Sequence, residues 1–428
     1  SDSGITLLKN NNFEIIDRIN GKDNLDDIIA TIDAWIIRSG TKISENDIKT
    51  AKKLQVIGRA GVGVDNIDIK TATKYGVVVM NVPDGNSISA AEHTMAIILA
   101  LSRNIHFGHI TLQEGNWERA NLIGNELRNK TLGVVGLGRI GREVIDRALS
   151  FNMKILGYDP YVNQDLFDID KIKIVTLDEL TKNSDIITVH VPLNDSTKDL
   201  FDKDRIAKMK KDAKIINVAR GGIINESDLA DALNNKVIAA AGIDVFSSEP
   251  LSADNPLKTA KNILLTPHLG ASTYEAKEGV SLSICQQTID FLNDSKLNNA
   301  VNVPISDMSI LKKIQPYLDL AELIGNIQSQ LIDDSIKKIE INFYGAIDDI
   351  KPMSIAFIKG LLSEVVDNRI NYINALSIAE ERGIEIINTF NPQIDKYANL
   401  VDSNIYIGDK IINVGGGVFF GDEFRILK

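Results

Sequence analysis

The chain has 428 residues, 44% hydrophobic and 25% charged, with a formal net charge of −11. That length accommodates about three domains, and the composition is that of a globular protein with enough apolar material for a core. The acidic balance argues against nucleic acid or an anionic membrane surface as partner, and no run approaches the ~18 continuous apolar residues of a membrane span.

In residues 1–100, short apolar runs alternate with helical patterns. Residues 34–37, 56–58 and 77–80 read as strands, with helices over 44–53 and 67–75 between them. Ser44 with Asp47 is a near relative of the capping box. Strands alternating with helices imply crossover connections and a parallel sheet. An apolar helix is expected over 89–101. A second alternating set follows: a strand at 131–135, a helix at 142–150, then strands at 154–158, 185–189, 214–218, 239–243 and 262–266. These β-branched runs suit a parallel sheet covered on both faces. A helix over 226–234 has Asn225 as its N-cap. After about residue 308 the pattern changes to α+β: helices over 311–331 and 353–366, a strand over 338–343, and a hairpin over 404–420 turning at Gly408-Asp409.

The single cysteine, Cys285, permits no internal disulfide and fits a reducing, cytoplasmic setting. It falls in an apolar helical stretch, where a packed small hydrophobe is expected. Residues 1–8 carry too short an apolar run for a signal peptide.

Gly136-Leu137-Gly138-Arg139-Ile140-Gly141 follows a strand and opens a helix. Gly136 permits the tight turn, Gly138 lets backbone approach a pyrophosphate, and Gly141 lets helix and strand pack closely. The helix N-terminus offers free N–H groups to phosphates, and Arg139 adds a charge. Asp159 closes the next strand at about the ~20-residue spacing of a ribose-binding acid, which points to NAD rather than NADP. The bland alternative is a packing turn with a solvated acid.

Ligands of open parallel sheets bind beyond the carboxyl ends of the strands. Those ends carry Asp159, His190, Arg220, Asp244 and His268. A hydride transfer from an alcohol needs a proton acceptor, a clamp for the substrate anion and a group that tunes the base. His268 suits the first, Arg220 the second and Glu249 the third. Each alone is more often structural; together beside a dinucleotide turn they favour function. His190 is the rival base. His93 reads as structural. His106 and His109 share a helical stretch without a third ligand, so no metal is expected. Arg59-Ala60-Gly61-Val62 ends a strand of the first set and could present backbone N–H groups to a carboxylate.

The segments 57–66, 86–92 (NSISAAE), 115–119 (GNWER), 136–143 (GLGRIGRE), 218–222, 244–250 and 267–273 (PHLGAST) resemble the D-isomer-specific 2-hydroxyacid dehydrogenases. Within that family the match is closest to members acting on 3-phosphoglycerate. The resemblance runs almost continuously over 34–285. It implies an α/β architecture: a Rossmann-type cofactor domain (101–284) inserted in a flavodoxin-like substrate domain (1–100 and 285–308), with the active site in the cleft. An intervening-type α+β domain would occupy 309–428. It further implies catalysis by Arg220, Glu249 and His268. Cofactor contacts would come from Gly136, Gly138, Arg139, Ile140, Gly141, Asp159, Val218, Ala219, Arg220, Asp244, His268 and Gly270. The substrate carboxylate would fall on Arg59, Ala60, Gly61 and Val62. Its phosphate side would fall on Arg38 and Ser39, with Lys74 and Arg119 as further candidates, Arg119 across a dimer. Val82 stands where relatives often place a Thr near the nicotinamide.

The implied reaction is NAD-dependent oxidation of 3-phospho-D-glycerate to 3-phosphooxypyruvate, the first step of serine synthesis, by a homodimer or homotetramer joined through 89–101. In long members a regulatory ACT domain follows the intervening domain; this chain, ending at Lys428, is expected to lack it. The alternatives are a dehydrogenase for glycerate, hydroxypyruvate or another D-2-hydroxy acid, and, from a different class, an NAD-sensing interaction protein like the related corepressors.

Overall fold

The computed structural model describes every residue outside 17–24, 163–167, 169–170, 295, 304–313, 333–334, 346–349, 364–369, 393–398 and 420–422. The chain divides into two compact units, one formed by Ser1–Pro83 with Glu278–Lys428 and the other by Asp84–Lys277.

In the first unit, β1 (Ala34–Ile37), β2 (Val56–Arg59) and β3 (Val78–Met80) form a parallel sheet in the order β1-β2-β3. Period-2 alternation sends neighbouring side chains to opposite faces. Ile57 and Val79 meet Ile48 and Ala72 on one side. Val56 and Val78 meet Val280, Ile284 and Cys285 of the helix Tyr274–Asp294 on the other. Cys285 is therefore packed as expected, and burial raises its thiol pKa. The helix Glu45–Thr50 begins with the capping box that Ser44 and Asp47 predicted. The returning chain closes the edge beside β3: Val301 donates to the Val79 carbonyl at 2.7 Å, and Asn302 Oδ1 accepts from Val79 N–H at 2.8 Å.

The rest of this unit is the α+β segment. Strands β11 (Lys338–Gly345), β12 (Glu385–Asn391), β13 (Asn399–Ile407), β14 (Lys410–Phe419) and β15 (Glu423–Ile426) lie in the order β12-β11-β13-β14-β15. Ile339, Ile341 and Phe343 alternate into a core shared with the helices Gln315–Ser329 and Lys351–Leu362. The hairpin turns at Gly408-Asp409, with Ile407 opposite Lys410. The expected starts and ends of helix and domain at 308–313, 364–366 and 420 lie outside the described residues. Two asparagines fasten this segment to the helix Ile69–Lys74: Asn371 Nδ2 donates to the Gly76 carbonyl at 2.7 Å, and Asn374 Nδ2 to that of Lys74 at 3.1 Å.

The second unit is built on β4 (Thr131–Val135), β5 (Lys154–Tyr158), β6 (Ile172–Ile174), β7 (Ile186–Val189), β8 (Lys214–Asn217), β9 (Ala240–Ile243) and β10 (Ile263–Leu265). All are parallel, in the order β10-β9-β8-β7-β4-β5-β6. Leu132, Val134, Ile186 and Ile216 pack on one face; Val135, Ile187, Val189 and Ile215 pack on the other. Burial on both faces is why these strands read as continuous apolar runs. β6 escapes the sequence reading because a three-residue edge strand is too short for a pattern. The helix Ser87–Ser102 packs against this sheet through Ile97, Ile98 and Leu101, so the unit begins at Asp84 where the sequence suggested 101. Its two ends lie together: Ser89 Oγ is 2.8 Å from Thr273 Oγ1.

Candidate active site

The strand order reverses between β4 and β7, and a crevice opens at such a switch point beyond the carboxyl ends. The glycine turn sits there. Gly136 has φ +96°, and a Cβ on it would lie 2.4 Å from the His190 carbonyl oxygen at the end of β7. A Cβ on Gly141 would lie 2.1 Å from the Gly136 carbonyl oxygen, so helix Arg139–Ser150 needs a bare position to reach the strand. Gly138 differs: nothing lies within 4 Å of its would-be Cβ. Protein packing gives no reason for glycine at that position, whereas a group approaching from outside does. The helix begins at Arg139, directly after this glycine, so its free N–H groups face the turn, as a bound pyrophosphate requires.

Asp159 is tied into the same turn. Its Oδ2 accepts from Leu137 N–H at 2.9 Å and its Oδ1 from Tyr161 N–H at 2.9 Å. Each oxygen keeps a further lone pair, so the carboxylate fixes the loop and can still accept from a ribose hydroxyl. Arg139 is paired with Asp84 on the surface.

After β8, the buried Asn217 donates to the Arg220 carbonyl at 2.8 Å and accepts from Ala219 N–H at 3.0 Å. This folds Val218, Ala219 and Arg220 into a tight corner. Gly221 follows because its Cβ would lie 1.9 Å from the Phe246 carbonyl. The Arg220 guanidinium donates to the Ala219 carbonyl at 2.6 Å.

His268 and Glu249 come together. His268 Nδ1 is 2.6 Å from Glu249 Oε2, and Glu249 Oε1 accepts from Phe246 N–H at 3.0 Å. A carboxylate can only accept, so Nδ1 carries the proton and Nε2 is the basic nitrogen of the neutral ring. Among the described residues Nε2 has no partner. His268 has φ +54°, left-handed backbone that is uncommon for a side-chain-bearing residue.

Asp244 holds that loop. Its carbonyl accepts from His268 N–H at 2.8 Å, its Oδ1 from Leu269 N–H at 2.8 Å and its Oδ2 from Gly270 N–H at 2.9 Å. The carboxylate is fully buried. Burial pushes its pKa up, but the donors His93, Thr266, Leu269 and Gly270 outweigh it, and the group stays below the ordinary carboxyl range. Asp244, expected at the cofactor, is also the residue that ties down its own loop.

His190 has Thr188 Oγ1 at 2.9 Å from Nε2 and, among the described residues, no carboxylate beside it, and desolvation lowers its pKa to about 4. It lacks the tuning acid that His268 has. The ring nitrogens of His106 are buried, and desolvation lowers its pKa. No metal-binding group of three or more His, Cys, Asp or Glu occurs among the described residues.

The expected substrate residues fall on both units. In the first, Ile37 pairs with Arg59, so Arg38 and Arg59 leave the same carboxyl edge of β1 and β2. Gly61 has φ +142°, and a Cβ there would lie 1.7 Å from the Arg59 Nη1, so the guanidinium lies directly over it. Asn81 Nδ2 donates to the Val62 carbonyl at 2.6 Å and Val82 N–H to that of Gly61 at 2.9 Å, which fixes the loop. Arg38 and Ser39 are exposed. Lys74 is already 3.0 Å from Glu381 of the α+β segment, which weakens it as a phosphate ligand. Arg119 sits in the second unit on an exposed 3-10 turn, Arg119–Asn121. His93, expected to be structural, lies 3.2 Å from both Asp244 Oδ1 and Thr266 Oγ1. Its only signal was a polar residue in an apolar helix, which demands a buried partner.

Residues 95–270 match the family described as D-isomer specific 2-hydroxyacid dehydrogenase, NAD binding domain, and residues 313–428 match the D-3-phosphoglycerate dehydrogenase intervening domain. D-3-phosphoglycerate dehydrogenase of Methanocaldococcus jannaschii is 42% identical over 400 residues, covering 93% of this chain and 76% of that protein. The Archaeoglobus fulgidus enzyme of the same name is 38% identical over 431 residues, covering 100% of this chain and 82% of that one. Among solved structures, NAD-dependent formate dehydrogenase from Staphylococcus aureus in complex with NAD superposes with a TM-score of 0.63 at 33% identity, over 71% of this chain and 91% of that one.

Proposed function

The chain belongs to the D-isomer-specific 2-hydroxyacid dehydrogenase family, and from that premise we propose that it oxidises 3-phospho-D-glycerate to 3-phosphooxypyruvate with NAD as acceptor. The observation that carries the proposal is the 2.6 Å pair of His268 and Glu249, beyond the same carboxyl edge as the glycine turn. NAD, when bound, supplies the acceptor for the C2 hydride. The turn from Gly136 to Gly141 would hold its pyrophosphate through backbone N–H groups, and Asp159 would accept from its ribose. Val218, Ala219 and Gly270 line the same edge.

His268 Nε2 takes the hydroxyl proton as the hydride leaves C2. Glu249 stays ionised, orients the ring and stabilises the imidazolium. The Arg220 guanidinium holds the carboxylate and the forming carbonyl oxygen. One keto acid, one NADH and one proton result. Arg59 to Val62 serve the substrate carboxylate, and Arg38 with Ser39 is the leading phosphate-side pair now that Lys74 is engaged with Glu381. Similarity to relatives named D-3-phosphoglycerate dehydrogenase supports the phosphorylated substrate.

A homodimer or homotetramer accompanies this reading. Ile105, Leu112, Trp117 and Ile123 are 57%, 57%, 81% and 83% exposed, large apolar side chains that a second copy of the chain would cover. We also place the enzyme in the cytoplasm; no helix among the described residues is long and apolar enough to cross a membrane. The test is a panel of 3-phosphoglycerate, glycerate, lactate and the corresponding keto acids, followed by NADH absorbance. Phosphoglycerate is expected to give the highest kcat/KM. Faster reduction of unphosphorylated hydroxypyruvate than of the phosphorylated acid would overturn the substrate assignment, and light scattering would decide the oligomer.

A further inference from the structure

We propose that His93 is a positioning residue for the hydride-transfer site, acting through Asp244 on the loop that carries His268. The inference rests on the reading of His268 as the base. It starts from the fact that three consecutive amides, those of His268, Leu269 and Gly270, all end on one residue, Asp244. The His268 amide ends on the Asp244 carbonyl and those of Leu269 and Gly270 on its carboxylate, so the backbone that directly follows His268 depends on where that carboxylate is held.

Two side chains hold it from behind. Thr266 Oγ1 is 2.6 Å from Asp244 Oδ1, and His93 Nε2 is 3.2 Å from that oxygen and 3.2 Å from Thr266 Oγ1. Donor counting fixes the roles. An ionised carboxylate only accepts, so the Thr266 hydroxyl gives its single proton to Oδ1. The Thr266 oxygen can then only accept from the imidazole. Both requirements put the proton of His93 on Nε2, shared between the two oxygens. Among the described residues, His93 is thus the one side chain touching both the buried anion and its hydroxyl partner.

The helix that carries His93 makes this support rigid. Ser87–Ser102 packs on the sheet through Ile97, and a Cβ on Gly242, two residues before Asp244, would lie 2.2 Å from the Ile97 side chain. Helix, strand β9 and the 266–270 loop meet at the Asp244 carboxylate. A buried carboxylate left short of donors moves toward others or takes a proton, and either change releases the Leu269 and Gly270 amides. His93 touches no reacting atom in this arrangement; it acts on geometry.

The test compares His93→Leu with His93→Gln, whose amide nitrogen reproduces the Nε2 donor. His93→Leu should lower kcat about tenfold while KM for the hydroxy acid changes less than about threefold. Amide hydrogen exchange over residues 268–270 should rise at least tenfold, with melting within a few degrees of wild type. His93→Gln should recover most of both. Loss of kcat and protection equally in both variants would show a packing role and overturn the proposal, as would unchanged kcat and exchange in His93→Leu. Should His93→Leu not fold, His93→Gln decides by itself: kcat and exchange near wild type sustain the donor role, and their loss overturns it. Wild type inactive on every hydroxy acid would overturn the functional reading, and exchange at 268–270 would still decide whether His93 holds the loop.

Discussion

Gly138→Ala separates folding from cofactor binding. Gly138 has φ −68°, ordinary for any residue, and its would-be Cβ meets nothing within 4 Å. Alanine there costs no steric strain and reduces the freedom of the unfolded chain, which stabilises by about 0.4–1 kcal/mol. For a unit of this size that is a rise of roughly 1–4 °C in melting temperature. On the proposed placement of NAD, the new methyl group would occupy the space through which the pyrophosphate approaches. Forcing one extra carbon into a packed contact costs about 1–3 kcal/mol, or roughly a 5- to 150-fold weaker NADH complex. The assay is a pair of measurements on one sample: thermal unfolding and NADH fluorescence titration. Equal or higher melting temperature with a weaker complex is expected. An unchanged Kd would refute the placement of the phosphates over Gly138. A lowered melting temperature would refute the reading of the space as open. Gly136→Ala gives the contrast: with φ +96° and the His190 carbonyl at 2.4 Å, it should destabilise by about 1–2 kcal/mol or more from backbone strain.

Under the proposed mechanism His268→Ala should lower kcat by about 10²- to 10⁴-fold, and near-normal turnover would remove the base. Glu249→Gln should lower kcat about tenfold or more, since a hydrogen bond to a charged partner is worth about 1.5–3 kcal/mol; steady-state kinetics on phosphoglycerate read both. His190 gives an acid-sensitivity prediction. Its folded pKa of about 4 lies below the ordinary value of 6.5, so between these pH values the unfolded chain binds a proton that the folded chain does not. The stabilising contribution is complete above about pH 6.5 and is lost as pH falls toward 4, at most about 3 kcal/mol for the full shift. Urea unfolding of wild type and His190→Gln at pH 7 and 5 checks it: the two should lose stability equally only if the assignment is wrong. Asn371→Ala removes the 2.7 Å bond to the Gly76 carbonyl and should cost about 1–2 kcal/mol, seen as faster proteolysis between the α+β segment and the first sheet.

Elements whose cause is local were legible in the sequence. The Ser44–Asp47 box, the Asn225 cap and the Gly408-Asp409 hairpin each depend on residues a few positions apart. The double-faced strands announced their burial through continuous apolar runs. His268 was singled out by its place at a strand end and Glu249 as an acid to tune it, and the fold sets the two 2.6 Å apart. Partners far apart in the chain were not legible. His93 and Asp244 are separated by 151 residues, and nothing local in either predicts the other. Lys74 looked available for a phosphate until the fold set Glu381 against it. For Asp244 the strand-end position was visible in the sequence, whereas the four hydrogen-bond donors on its carboxylate were not.

The insertion of residues 84–277 into the first sheet has a kinetic consequence. The edge beside β3 is completed by residues 299–302, so that sheet cannot finish until the chain has gone out and come back. Closing a flexible loop of ~190 residues costs about 5 kcal/mol in chain entropy. The inserted unit draws all seven strands from its own sequence, and folding brings Ser89 within 2.8 Å of Thr273. Once it has formed, the long loop has become a short one. Pulse-labelled hydrogen exchange should therefore find β4 and β7 protected before β3. The order of assembly follows from topology: the part of the chain synthesised first waits for the part placed in its middle.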